Sequence, residues 1–191
     1  MSFALGEHDR MIAAMLMPCV VVGVDLAAGA VRVSNGEWTS AWVRWHSLAA
    51  GKARHWRSPS LSEQGVLFNP SGQAGMGTFI PGLYGDAGAQ PDNRDHVEVW
   101  RFDDGGSLVY DWQAKSYTIT LPTGTVMIKV GGTEVVVTDN AVTVKSGTID
   151  LEGAVNIKGP VNIDGPLLVT GNIDGAANIM AAGTSDNHHT H

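Results

Sequence analysis

At 191 residues the chain has room for one or two domains. Twelve Lys and Arg against nineteen Asp and Glu, a formal charge of −7, argue against a nucleic-acid partner, since phosphate affinity comes from cations displacing counterions. A single cysteine, Cys19, excludes a disulfide framework and a CxxC metal site, and in its apolar run it reads as a buried, inert thiol.

Residues 6–17 carry Met11, Ile12, Met15 and Leu16 at helical spacing, which predicts a short helix ended by Pro18, within an N-terminal arm of residues 1–17. The apolar run Met11–Val24 is too short for the roughly 20 residues of a membrane-spanning helix. Glu7 and Asp9 stand where a signal peptide needs positive charge, so synthesis in the cytoplasm without a signal peptide is expected.

From Cys19 the apolar period becomes two. Strands are expected at Val20–Asp25, Ala30–Ser34, Trp38–Trp45, Gly65–Asn69 and Thr78–Leu83, with a hairpin turn at Asn35-Gly36. Five short strands in so few residues predict a small closed barrel of the OB type over residues 18–95, the last stretch (Gly85–Asp95) being a linker. Within it Trp42, Arg44, Trp45, Lys52, Arg54, Trp56 and Arg57 interleave aromatic and basic side chains, as a base-stacking surface would. The overall acidity favours reading 44–57 as a docking patch for a larger acidic assembly partner instead.

Residues 96–180 read as a rod. His96–Phe102 and Ser107–Trp112 flank a turn at Asp104-Gly105-Gly106, and alternating strands continue through Ile149 and Leu151. Glycines at 153, 159, 165 and 171 then mark a period of six, with two apolar residues per unit. Such a unit cannot close a core alone and must stack on copies of itself. Two architectures share this period: a left-handed parallel β-helix coiled from one chain, and three chains intertwined about one axis. With only three or four regular repeats, the intertwined homotrimer is favoured, because so few coils bury too little surface alone. Residues 101–191 hold five Lys and Arg against ten Asp and Glu, so the rod is the acidic half.

No GxSxG, Walker or HExxH pattern is present, and His8, His46, His55 and His96 are scattered without a carboxylate at ligand spacing. Asp164 and Asp174 fall in turns of the repeat; around a threefold axis such carboxylates could hold a cation such as Ca2+, an anion being the other axial candidate. His189 and His191, two apart, point the same way in an extended strand. Three chains would bring six imidazoles together, an octahedral shell suited to iron, nickel or copper more than to zinc. Saturated, such a site would be structural, making residues 181–191 a metal-binding apex; otherwise they are a polar tail.

The stretch Glu63-Gln-Gly-Val-Leu-Phe68-Asn-Pro-Ser-Gly72 leading to Ile80-Pro-Gly-Leu-Tyr84, the Asp103–Tyr110 region, the Gly-punctuated strands and the closing His189-Thr190-His191 together resemble the central spike, or baseplate assembly protein V, of contractile phage tails and R-type pyocins. The resemblance implies an all-β homotrimer with an N-terminal OB-fold barrel, an intertwined triple-stranded β-helix and a pointed apex. It implies one iron ion per trimer, held by His189 and His191 of each chain as six His ligands. The N-terminal domain would meet the tail tube and baseplate hub, at the tail tip of a virion or pyocin. On sheath contraction the spike would be driven through the outer membrane of the target bacterium, with no enzymatic step. Many members continue a little past the motif, whereas this sequence stops at His191.

Two rivals define tests. A trimeric acyltransferase on a left-handed β-helix needs a catalytic His on its coils, and none lies between His96 and His188. A sugar- or receptor-binding tail protein would display aromatics along the rod, and past Tyr117 there are none.

Overall fold

The computed structural model describes residues 3–73 and 76–175. Its one α-helix, α1 (Phe3–Ala13), stops short of the expected Met17, and β1 (Leu16–Asp25) has already begun when the chain reaches Pro18. The proline therefore lies inside a strand and does not end the helix. It is tolerated because β1 pairs with β4 at this point while its pairing with β2 starts only at Val20, leaving one flank of the strand free.

Strands β1, β2 (Ala30–Ser34), β3 (Val43–Trp45), β4 (Gln64–Phe68) and β5 (Thr78–Leu83) close into a barrel of order β1-β2-β3-β5-β4. All pairs are antiparallel except β3 with β5. This is the five-stranded OB arrangement. Strand β3 is shorter than expected because Asn35–Trp38 form a loop held by Asn35 Oδ1, which accepts from the Trp38 amide at 2.9 Å. Period-two alternation sends Cys19, Val21, Val31, Val33, Val43, Leu67 and Phe79 inward as one buried cluster. Each of its larger side chains contributes on the order of 1.5–3 kcal/mol by leaving water.

Asn69 fastens the junction between α1 and β1 to this barrel. It is fully buried; its Nδ2 donates to the Ala14 carbonyl and its amide to the Met15 carbonyl, both at 2.8 Å. Gly72 follows with φ +66° directly beneath Met11, where a Cβ would lie 2.7 Å from the Met11 Cα. The Glu63–Gly72 stretch thus consists of core, pin and close approach.

The outward residues of β1, β4 and β5 form a register grid. Leu16, Phe68 and Thr78 make one row, Pro18, Val66 and Ile80 the next, and Val20, Gln64 and Leu83 the third. None of these side chains is charged.

Six further strands follow. β6 (Val97–Arg101), β7 (Ser107–Asp111) and β8 (Ser116–Thr120) form one antiparallel sheet, and β9 (Val126–Val130), β10 (Thr133–Val137) and β11 (Val142–Lys145) a second three-stranded sheet. Among the described residues no strand follows Lys145. The strand expected at Ile149–Leu151 and those of the six-residue repeat are therefore absent from the single chain. The chain divides into two compact units, one running to Val126 with Val137–Ala141, the other comprising Met127–Val136 and the chain from Val142 onward.

Candidate functional site

In the β6–β8 sheet, register places Glu98, Tyr110 and Tyr117 side by side, with Trp100, Leu108 and Ile119 in the adjacent row. These rows share one face. The tyrosine ring centroids are 6.3 Å apart, and Trp100 Nε1 donates to Glu98 at 3.2 Å. Trp100, Tyr110, Tyr117 and Ile119 are all substantially exposed. This is a largely open aromatic face, met at Trp100 by the edge of the His55 ring, centroids 6.3 Å apart.

Its geometry is set by a buried carboxylate. Asp111 Oδ1 accepts from the Gln113 and Ala114 amides at 3.0 and 2.8 Å, turning the chain from β7 to β8 through Lys115 at φ +53°. Asp111 Oδ2 accepts from Arg94 at 3.2 Å, and Arg94 also grips Asp92 at 2.7 Å. The Arg94 guanidinium holds the Asp92 carboxyl far below its usual range. His96, which the spacing left without a carboxylate partner, lies 3.0 Å from Asp95 and 3.9 Å from Asp111. A hydrogen bond from His96 lowers the Asp95 pKa. Sequence spacing missed this cluster because Asp111 arrives from the neighbouring strand.

Beyond Asp111 none of the described residues is buried. The β9–β11 sheet is held by a tight turn at Gly131 (φ +57°), a Lys129–Glu134 ion pair at 3.8 Å and a Thr133–Ser146 contact at 3.1 Å. Residues 146–175 have no helix or strand. Their glycines 153, 159 and 165 adopt φ of +123°, +141° and +136°, a backbone region open almost only to glycine. Between them Val155, Ile157, Val161, Ile163 and Leu167 stand more than half exposed. Apolar side chains at a fixed period with no partner in their own chain are a surface built to be covered. A single-chain coil would pair each turn with the next, and no such ladder occurs among the described residues.

The other sites expected from sequence fare differently. His189 and His191 lie outside the described residues. Asp164 and Asp174 are exposed, and among the described residues no three His, Cys, Asp or Glu side chains converge on a metal position. Trp42 and Trp45 do not line up as one stacking row. Trp45 packs on the core and against Trp56, centroids 5.3 Å apart, whereas Trp42 lies outside over Gly23 with the Arg32 guanidinium 6.0 Å from its ring. Arg57 makes a two-pronged pair with Glu63 at 2.6 and 2.9 Å, so it is not a free docking charge.

Residues 17–84 match the family model of the Type VI secretion system/phage-baseplate injector OB domain, and residues 98–175 that of the Gp138 beta helical trimerization domain. The chain is thus similar to an injector OB domain over its barrel and to a β-helical trimerization domain over the strands and repeat that follow. The chain is also similar to the spike protein of Escherichia phage P2, 30% identical over 115 residues, 60% of this chain and 54% of that protein. It thus spans about half the length of the curated relative it matches.

Proposed function

We propose that this chain is the central spike of a contractile phage tail, a homotrimeric, non-enzymatic baseplate component. The observation that carries the reading is the contrast between halves. The residues matching an injector OB domain enclose a complete core, while those matching a trimerization domain hold regularly spaced apolar side chains without one. Three chains pooling those side chains would supply the missing core. Strands shared between chains must separate together, which favours kinetic stability under load. On this reading the OB domain meets the baseplate hub and tail tube, and sheath contraction drives the rod through the target cell's outer membrane.

The donor chemistry of His189 and His191 suits a metal at the apex. Two imidazoles from each of three chains give a nitrogen shell for octahedral iron, which would tie together three chain ends that otherwise fray. Ca2+ or an anion on the axis would be a separate addition.

Immunogold labelling of intact and contracted particles tests the placement. The reading predicts label at the baseplate tip; label on the sheath, or no label on particles, contradicts it. Particles carrying His189→Ala and His191→Ala test the piercing step, with killing or infection expected to fall while adsorption is unchanged.

A further inference from the structure

We propose that the outer face of β2 and β3, centred on Arg32, Trp42 and Arg44, docks on an acidic surface of another tail protein. The inference rests on the baseplate reading above. It adds which face of the barrel makes the contact and the charge of the surface it meets.

The chain distributes its charge unevenly. Residues 26–62 hold five Lys and Arg and one acid, Glu37, whereas the rest of the chain holds seven against eighteen. Arg57 is committed to Glu63, but Arg32 and Arg44 stand exposed on outward positions of β2 and β3. Register sets Gly23 beside Arg32, and the Trp42 indole lies over that glycine, 3.4 Å from where a Cβ would stand. Arg44 is on the same face, opposite Ala30. Asp25 closes that row, its carboxylate taken up by the Ala28 amide at 2.9 Å.

These side chains are fixed before a partner arrives. Ser40 is fully buried, its amide donating to the Val33 carbonyl at 2.8 Å, and its own carbonyl accepts from Arg32 Nε at 3.1 Å. A bond through Nε leaves the two terminal nitrogens of the guanidinium for a carboxylate. The guanidinium carbon is 6.0 Å from the centroid of the Trp42 ring, which remains 52% exposed. Arg and Trp held in this way lose little freedom on binding and are the residue types that carry most interface energy.

Charge selects the occupant. A second copy meeting this face with its own would set Arg against Arg. Contact with the acidic rod of another copy would be heterologous and would grow into open chains. A nucleic acid needs cations along an extended backbone, and Asp25 and Glu37 interrupt them here. A compact carboxylate-bearing protein surface matches both the charge and the extent of the patch.

The test places variants of the full chain in the producing strain and counts this protein on purified particles by quantitative mass spectrometry, relative to the tail-tube protein. Arg32→Glu with Arg44→Glu reverses the face. Lys145→Glu with Lys158→Glu, both exposed, makes the same change in net charge elsewhere. Arg32→Gln with Arg44→Gln removes the charge alone and carries the test if the reversal does not fold, which thermal unfolding of the purified chains decides. The proposal expects at least about tenfold less protein on particles for the reversal, a smaller loss for the Gln pair and wild-type occupancy for the Lys pair. Wild-type occupancy for the Arg variants, or an equal loss for the Lys pair, overturns the docking face while leaving the baseplate reading intact. Particles without the wild-type chain overturn the baseplate reading itself. A fluorescent single-stranded oligonucleotide that binds the purified wild-type chain and not the reversal overturns the acidic-protein partner in favour of nucleic acid. Self-association of the wild-type chain beyond a trimer, lost on reversal, overturns it in favour of a second copy.

Discussion

The ring of Phe79 lies against the backbone of Gly65. A Cβ on that glycine would stand 2.6 Å from Phe79 Cζ and would also overlap the Ile80 carbonyl oxygen. Gly65 shares the inward face of β4 with Leu67, and its missing side chain is the space into which the largest fully buried side chain of the barrel fits. Gly65→Ala is expected to cost about 1–3 kcal/mol, as overpacking does, and Phe79→Ala about 3–5 kcal/mol through a cavity. Thermal unfolding of the barrel, followed by tryptophan fluorescence, measures both. An unchanged midpoint for Gly65→Ala would show that both the Phe79 ring and the Ile80 carbonyl can move aside.

The repeat glycines allow a matched comparison. Gly159 has φ +141°, whereas Gly147 has no positive φ that would exclude a side chain and open space around it. Gly159→Ala should therefore cost about 1–3 kcal/mol in each chain, summed over the copies that share the structure, and Gly147→Ala little. Heat-induced dissociation of the assembled protein reads the difference. Equal midpoints would mean that the backbone of this repeat changes on assembly.

Acid should loosen the barrel through Glu63. Burial alone would raise its pKa, but hydrogen bonds from Arg57 and the Ser60 amide, the Arg57 charge and the Gly82 amide outweigh it, and the net shift is downward from 4.5. A carboxylate with a depressed folded value contributes stability that is present above its unfolded value and lost as pH falls through the folded one. The wild-type barrel should then lose stability below about pH 4.5 more steeply than Glu63→Gln. Unfolding midpoints between pH 3 and 7 decide this; parallel curves would remove Glu63 from the account.

Much of the barrel was legible because each strand obeys period two against a single core. Thr78–Leu83 is found where the alternation put it, and the inward members of every strand follow from parity. Pro18 misled because a proline after a helical pattern signals an end, while its tolerance on a strand with one free flank depends on where β2 stops. Arg57 read as a free charge because its partner, Glu63, comes from the next loop. The repeat from Gly153 was legible as a surface needing partners, but the strands read there do not form in the single chain, as expected where the ladder partners would come from other chains. For the same reason the role of His189 and His191 was argued from ligand number rather than from position.

The apex carries its own prediction. Protein purified without nickel should hold one iron per three chains by elemental analysis, and His189→Ala with His191→Ala should lose it while the assembly persists. Metal retained by the double variant would place it elsewhere, for instance on the axial carboxylates.

The central claim is that three chains complete the core that residues 98–175 lack. Native mass spectrometry of the full chain at low concentration tests it most directly. A trimer resisting dissociation on dilution is the expected result. A monomer in which Ile157, Ile163 and their neighbours remain exposed to solvent, without loss of solubility or folded signal, would contradict it.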